Sequence, residues 1–269
     1  MRVVRTVAEM ASIEQADLGF VPTMGAFHEG HLSLMRAARK NHRIVCVSLF
    51  VNPLQFGRGE DLDKYPRDEP RDFALADQAG VDVMFVPRRE DIFPRAGTTI
   101  QVPGLTQLWE GKSRPGHFEG VATVVAKLFN IVRPKAAYFG WKDLQQCVVI
   151  RRMVDDLNFP VRLSFHDTVR EPDGLALSSR NAYLNPEERQ KAPMLWRILS
   201  RIAGEVEHIQ PIAAALSRGR ADLAESGFDV DYLELVSVKD LSTVHDTSEA
   251  ALIVGARLGT TRLIDNLRL

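Results

Sequence analysis

Apolar positions fall into short unbroken runs, separated by stretches where they recur every third or fourth residue. Residues 43–51 form the clearest run, interrupted after Arg43 only by Ser48, and residues 18–22, 81–87, 136–139 and 161–165 repeat the pattern. Such continuity predicts parallel strands buried on both faces. Leu32, Met35 and Ala38 stand at helical spacing after the first run. Val121, Val124, Val125, Leu128 and Val132 make one face of another helix that stops before Pro134. Helices are also predicted over 68–80 and 144–157, the latter burying Cys147, Ile150, Val154 and Leu157. Residues 1–17 predict a short strand or helix packed on the sheet. Strand–helix alternation through residue 165 predicts an α/β fold, a Rossmann-like parallel sheet with helices on both faces.

Beyond Asn185-Pro186 the pattern changes. Residues 187–207 and 211–226 predict polar-faced helices, and 230–236, 250–256 and 261–264 predict short strands. A small C-terminal α+β domain is expected, dividing the chain into 1–170 and 171–269, the second closing over the active site. The net charge of -1 argues against a general nucleic-acid or membrane-surface binder. No apolar span reaches membrane length and residues 1–17 lack a signal-peptide core, so the cytoplasm is the expected location. Cys46 and Cys147 sit in apolar surroundings and read as small buried hydrophobes.

Candidate chemistry gathers where strands end. The run at 19–21 empties through a turn holding Pro22, Gly25 and Gly30 into a helix beginning near His28. Backbone N–H groups and the positive end of a helix dipole can receive a phosphate there. His28 and His31, three apart, face one ligand. A zincin site would need its histidines four apart, so H-E-G-H does not fit one. Two incidental surface histidines are the remaining alternative.

The segment Thr23-Met-Gly-Ala-Phe-His-Glu-Gly-His31 resembles the ATP-binding segment of the pantothenate synthetase family, within the HIGH-type nucleotidyltransferase superfamily. The similarity resumes at later points up to about residue 185. It implies an ATP-dependent ligase that joins pantoate to β-alanine through a pantoyl adenylate, releasing pyrophosphate and then AMP. ATP as substrate, Mg2+, a homodimer and no nucleic-acid or membrane partner come with that implication.

Asn52 and Gln55 follow the strand at 43–51, where amides suit a hydroxy acid or, equally, cap a turn. The family motif V-N-P-x-Q-F gives them to pantoate, with Gln146 as a further amide and Arg114 as a substrate contact. R-P-x-H-F covers Arg114 and His117, which alone would more often be surface or capping groups. Lys142 at the end of the strand at 136–139 can neutralise shifting triphosphate charge, and a solvent-facing lysine is the alternative. Gly140, Lys142 and Asp143 keep the family's G-x-K-D. Leu177-Ser-Ser-Arg180 offers two hydroxyls and a guanidinium for phosphate oxygens, and resembles the superfamily loop that closes over ATP. By the same resemblance Met24, Gly25 and Val169 are expected to border the nucleotide, and His28, His31 and Lys142 to be catalytic.

Residues 57–67 are polar and read as a solvated connector, or by resemblance as a flap beside the substrate. Asp72 matches a position near metal and nucleotide, but Arg71 replaces an acidic neighbour and weakens a two-carboxylate site. Trp141 stands where the family usually has Glu. Two rivals remain: a nucleotidyltransferase that keeps the nucleotide in its product, and a nucleotide-sensing protein without turnover. AMP release on adding β-alanine separates the first, and pantoate-dependent pyrophosphate exchange the second.

Overall fold

The computed structural model describes all residues except 58, 96, 208–210 and 245–246. Six parallel strands form the main sheet: β1 (Arg2–Val4), β2 (Leu18–Thr23), β3 (Ile44–Leu49), β4 (Val83–Phe85), β5 (Ala136–Gly140) and β6 (Arg162–His166), in spatial order β1-β4-β3-β2-β5-β6. Around it run α1 (Val7–Ala11), α2 (Glu29–Asn41), α3 (Glu69–Gln78), α4 (Arg89–Ile92), α5 (Trp109–Ser113), α6 (His117–Val132) and α7 (Leu144–Asp156). The C-terminal part adds α8 (Pro186–Lys191), α9 (Met194–Glu207) and α10 (Ile212–Glu225). An antiparallel sheet of β7 (Phe228–Ser237), β8 (Ala250–Leu258) and β9 (Thr261–Arg268) completes the chain. No helix among the described residues is long and apolar enough to cross a membrane.

The expected α/β architecture is present, with two layers of helices. Alternate residues of a strand face opposite sides. In β5, Ala136 and Tyr138 pack with Val21, Val45, Val47, Met35 and Ala38 on the side of α2 and α3. Ala137 and Phe139 pack with Phe20, Cys46, Phe129 and Val148 on the side of α6 and α7. The same alternation explains the C-terminal sheet. Leu252, Val254 and Ala256 of β8 face Leu199 and Leu216 of α9 and α10, while Ala251 and Ile253 join the core shared with α6. Both faces of β8 are therefore buried, which is why it reads as one apolar run.

The structure departs from the sequence pattern in three places. The first strand, β1, is a three-residue edge with Val3 exposed and Val4 buried, too short for a periodic signal. The single helix expected over 187–207 is two, α8 and α9, separated at Pro193, whose ring and missing N–H disfavour continuation. Leu157 lies outside the buried face of α7 at 53% exposure, beyond the last helical residue.

Strand β2 pairs with β3 along its whole length, to Thr23 opposite Leu49. It pairs with β5 only at Gly19–Ala136 and Phe20–Ala137. Past that point β2 and β5 separate, at the place where the chain order turns outward in both directions. A crevice at the carboxyl ends of such strands is the usual ligand position in open α/β sheets.

Close packing fixes one wall of that crevice. Gly120 of α6 lies against the backbone of the turn at 53–55, where an added Cβ would stand 2.3 Å from Leu54 O and 2.7 Å from Gln55 N. Gly120→Ala must push the turn away, and overpacking of this kind costs about 1–3 kcal/mol. Urea denaturation should show a lower midpoint with an unchanged slope. An unaltered midpoint would mean that this approach is not tight.

Candidate active site

The turn between β2 and α2 is built from inside. Gly25 and Ala26 both take left-handed backbone, with φ of 94° and 52°. A Cβ on Gly25 would lie 2.6 Å from Leu49 Cδ1 and 3.0 Å from Asp72 Oδ2, so the position suits glycine. The carboxylate of Asp72 accepts hydrogen bonds from Ala26 N–H (2.9 Å) and Phe27 N–H (2.7 Å), and Arg71 donates to Phe27 O (3.1 Å). Asp72 is 1% exposed. Burial pushes its carboxyl up, against those two amide bonds. Each oxygen thus already accepts one amide of the turn, and Asp72 sits behind the turn, off the cavity wall. Gly25 likewise braces the turn and does not line the cavity.

The expected phosphate contact changes too. The amides at the head of α2 are largely engaged, because His28 is its N-cap. Gly30 N–H donates to His28 Nδ1 (3.2 Å), and His28 N–H donates to His31 Nδ1 (3.4 Å). An imidazole nitrogen does what a serine or aspartate oxygen does at most N-caps. With Nδ1 accepting in both rings, the neutral tautomer carries its proton on Nε2. Burial, then the Lys142 ammonium, pushes His28 down to about 4. Burial, then His28 and Lys142, pushes His31 down to about 3. The rings lie 4.1 Å apart, and both are neutral donors at neutral pH.

Both histidines face a cavity of about 830 Å3 at the separated ends of β2 and β5. Met24, Gly140, Lys142 and Asp143 line it, as do Val169 and Leu177. So do Ser178, Ser179 and Arg180, and the amides of Asn52, Gln55 and Gln146. Lys142 sits in a single 3-10 turn after β5, 3.4 Å from Asp143 Oδ1. Asn266 of β9 holds that turn by donating to Trp141 O (2.8 Å) and Lys142 O (2.9 Å). The Trp141 ring points elsewhere, against Phe165 and under the Arg268 guanidinium. Trp141 is not among the residues lining the cavity.

The expected amides divide by role. Asn52 is buried with both Nδ2 donors used, to Gln55 Oε1 (3.1 Å) and Gly120 O (3.1 Å), while Oδ1 accepts from Leu54 N–H (3.2 Å) and the residue still borders the cavity. It is the turn cap, and its amide orients Gln55. Gln145 donates to Leu105 O (2.8 Å) and Leu108 O (2.9 Å) and stays structural. The Gln146 side chain lines the cavity and remains available to a ligand.

Arg114 lines the cavity and is also heavily bonded within the protein. Nε and Nη2 grip the Glu60 carboxylate at 2.9 and 2.6 Å, Nη2 also reaches Gln55 O (3.3 Å), and Nη1 lies 3.3 Å from His117 Nε2. Every nitrogen of the guanidinium has a protein partner, and Arg114 thereby fixes the cavity wall beside Gln55. His117 Nδ1–H donates to Gln55 O (2.8 Å), and burial, then Arg114, pushes this ring down to about 4. Across the cavity Arg180 holds Asp61 with two bonds of 3.0 Å, and Ser179 Oγ donates to Ala26 O (3.4 Å). The segment 57–67, of which Arg58 lies outside the described residues, is thus tied down by two arginines.

Sequence reasoning missed the supports from the C-terminal part. Asn266, the Arg170–Asp265 ion pair (2.7 and 2.9 Å) and the Arg262–Glu110 ion pair all join residues far apart in the chain. No local motif announces such pairs.

The chain matches the profile of pantoate-beta-alanine ligase over residues 2–268. It is 53% identical over 272 residues to the pantothenate synthetase of Thermus thermophilus, covering 99% of each chain. To that of Acidiphilium cryptum it is 49% identical, again over 99% of both. The crystal structure of the Thermus thermophilus protein superposes with a TM-score of 0.96 at 52% identity, covering 100% of this chain and 99% of that one. A pantoate-beta-alanine ligase from Francisella tularensis, complexed with beta-gamma ATP and beta-alanine, superposes with a TM-score of 0.86 at 32% identity. It covers 100% of this chain and 97% of that one. By sequence over its whole length and by fold, this chain belongs to the pantoate-beta-alanine ligase family.

Proposed function

We propose that the enzyme condenses pantoate with β-alanine, using ATP, in the two steps its family membership implies. The observation that carries this reading is convergence. Two neutral imidazoles, an ammonium, two hydroxyls and two amides open onto one cavity large enough for a nucleotide and a small acid.

The roles follow from the bonds already made. Nε2–H of His28 and His31 donates to phosphate oxygens, and Lys142 neutralises charge that grows on the leaving pyrophosphate. Ser178, Ser179 and Arg180 hold the far phosphates, Arg180 exchanging Asp61 for them. Gln55, turned by Asn52, and Gln146 hold pantoate with its carboxylate towards the α-phosphorus. That carboxylate oxygen forms the new bond to phosphorus as the bond to pyrophosphate breaks. The β-alanine amine then attacks the acyl carbon, AMP departs and the amine loses a proton. Alignment and charge neutralisation supply the catalysis, and no protein nucleophile is needed.

Mg2+ fits as a companion of the nucleotide, since it is usually held by one or two carboxylates plus phosphates. Asp143, on the cavity wall beside Lys142, would supply such a carboxylate, and the family resemblance gives the same role to Asp72. When bound, the ion neutralises phosphate charge. No group of three or more His, Cys, Asp or Glu suited to a metal occurs among the described residues. The reading carries a cytoplasmic location and a homodimer with it, the latter from family resemblance.

A three-component assay tests the reading: AMP should form only when ATP, pantoate and β-alanine are all present. His31→Ala should lower adenylate formation at saturating ATP on the order of 10²–10³-fold, as for loss of a preorganised donor. Gln55→Ala should raise KM for pantoate first. An effect of Gln55→Ala confined to ATP, or unchanged pyrophosphate release in His31→Ala, would contradict the assignments.

The neutral histidines also fix a pH dependence in the free protein. Their folded values, about 4 for His28 and about 3 for His31, lie below the ordinary 6.5. The unfolded chain therefore binds more protons as pH falls below about 6.5. Stability declines from there to the folded values and gains nothing from these groups above 6.5. One such histidine contributes a slope of about 1.4 kcal/mol per pH unit inside the window. Urea denaturation should show His31→Asn with a shallower loss of stability than the parent between about pH 6 and 4.5. Parallel slopes would mean that His31 is not depressed.

A further inference from the structure

Beside Arg114, on the same cavity wall, lies a buried charge cluster to which the reaction assigns nothing. Glu110, in the short helix α5, is 6% exposed and receives three partners. Arg262 of β9 grips its carboxylate through Nε (3.0 Å to Oε1) and Nη2, and Tyr232 of β7 donates its hydroxyl to Oε2 (3.2 Å). From the other side Arg114 Nη1 stands 3.7 Å from Oε1. The backbone of Glu110 is fixed as well, its N–H donating to Gln145 Oε1 (3.0 Å). The neighbouring Trp109, at φ 41°, donates to Leu241 O (3.2 Å).

We propose that Glu110 is a positioning residue for pantoate, coupling Arg262 of the C-terminal sheet to the Arg114–Gln55 wall. Glu110 reaches the cavity wall, but both its oxygens are bonded by protein, so its part is to hold its neighbours. Its effect passes through Arg114, which reaches Gln55 O directly and through His117. The side chains of Arg114 and Arg262 are only 10% and 12% exposed, and Glu110 lies between them. Without its charge, Arg114 keeps only Glu60 and Arg262 only Asp231 as ion-pair partners among the described residues. Two guanidiniums in a weakly screened interior then repel across the gap. Arg114 is pulled towards the 57–67 segment, and the Gln55 carbonyl loses its fixed donors. Burial pushes the Glu110 carboxyl up, but the hydrogen bond and charge of Arg262 and the charge of Arg114 bring it below the usual range. It is ionised wherever the enzyme works.

The inference rests on the function proposed above, and the wild-type arm of its test reports on that function separately. Steady-state kinetics of Glu110→Gln, Arg262→Lys and the double variant would be measured with each of the three substrates varied in turn. Glu110→Gln should raise KM for pantoate roughly tenfold, about one broken charge-assisted contact. KM for ATP and kcat should move less than about twofold, and Arg262→Lys should act in the same direction with a smaller amplitude. The double variant should be no worse than Glu110→Gln alone, because both act through one contact. Equal rises in both KM values, a fall in kcat alone, or unchanged pantoate KM in soluble Arg262→Lys would overturn the proposal. If Glu110→Gln does not fold, Arg262→Lys carries the same prediction. Failure of the wild type to form AMP would instead remove the function itself.

Discussion

Everything at the site depends on the parting of β2 from β5. Two residue pairs hold these strands together, and beyond Phe20–Ala137 no further strand pairing joins them. On one side β2 leads into α2 with the histidine pair, and on the other β5 leads into the Lys142 turn. The chain runs away from the gap in both directions, so neither connection fills it. A parallel sheet with helices on opposite faces creates this opening by topology, before any side chain is chosen.

Electrostatics then decides which groups inside the gap are charged. Burial and the nearby ammonium keep His28 and His31 neutral, so Lys142 carries the positive charge beside them while they act as donors. The amides at the helix start, which a phosphate usually finds free, bind His28, His31 and Asp72 instead. In the proposed reading, phosphate recognition therefore falls to the side chains. Arg114 and Arg180 both meet carboxylates of the 57–67 segment, Arg114 with Glu60 and Arg180 with Asp61. Arg114 is held by further partners behind the wall, whereas Arg180 relies on Asp61, which suits it to exchange a carboxylate for a phosphate.

The main sheet was legible because strands buried on both faces leave continuous apolar runs, as Ile44–Leu49 does. An edge strand of three residues leaves no such mark, and β1 was visible only as something short. Motif residues located His28, His31, Lys142 and Ser179 on the cavity, since each stands at an element's end. Motifs could not separate a residue that faces a ligand from one that holds its neighbour. Asn52 and Gln55 share a motif, yet Asn52 spends both its amide donors on the protein and one of them turns Gln55. Asp72 and Arg114 carry charges that suit a ligand, and in the structure they also brace a turn and a wall. Glu110, Arg262 and Asn266 were invisible because their partners lie more than a hundred residues away. Such pairing is a property of the packed chain, and local pattern holds no record of it.

One crevice must hold pantoate beside the α-phosphate of ATP for the two steps to run in sequence. The most direct measurement is exchange of labelled pyrophosphate into ATP in the absence of β-alanine. Exchange that requires pantoate, and that is lost in Lys142→Ala while nucleotide still binds, is the predicted result. Exchange that proceeds without pantoate, or pantothenate formation with no exchange at all, would contradict it.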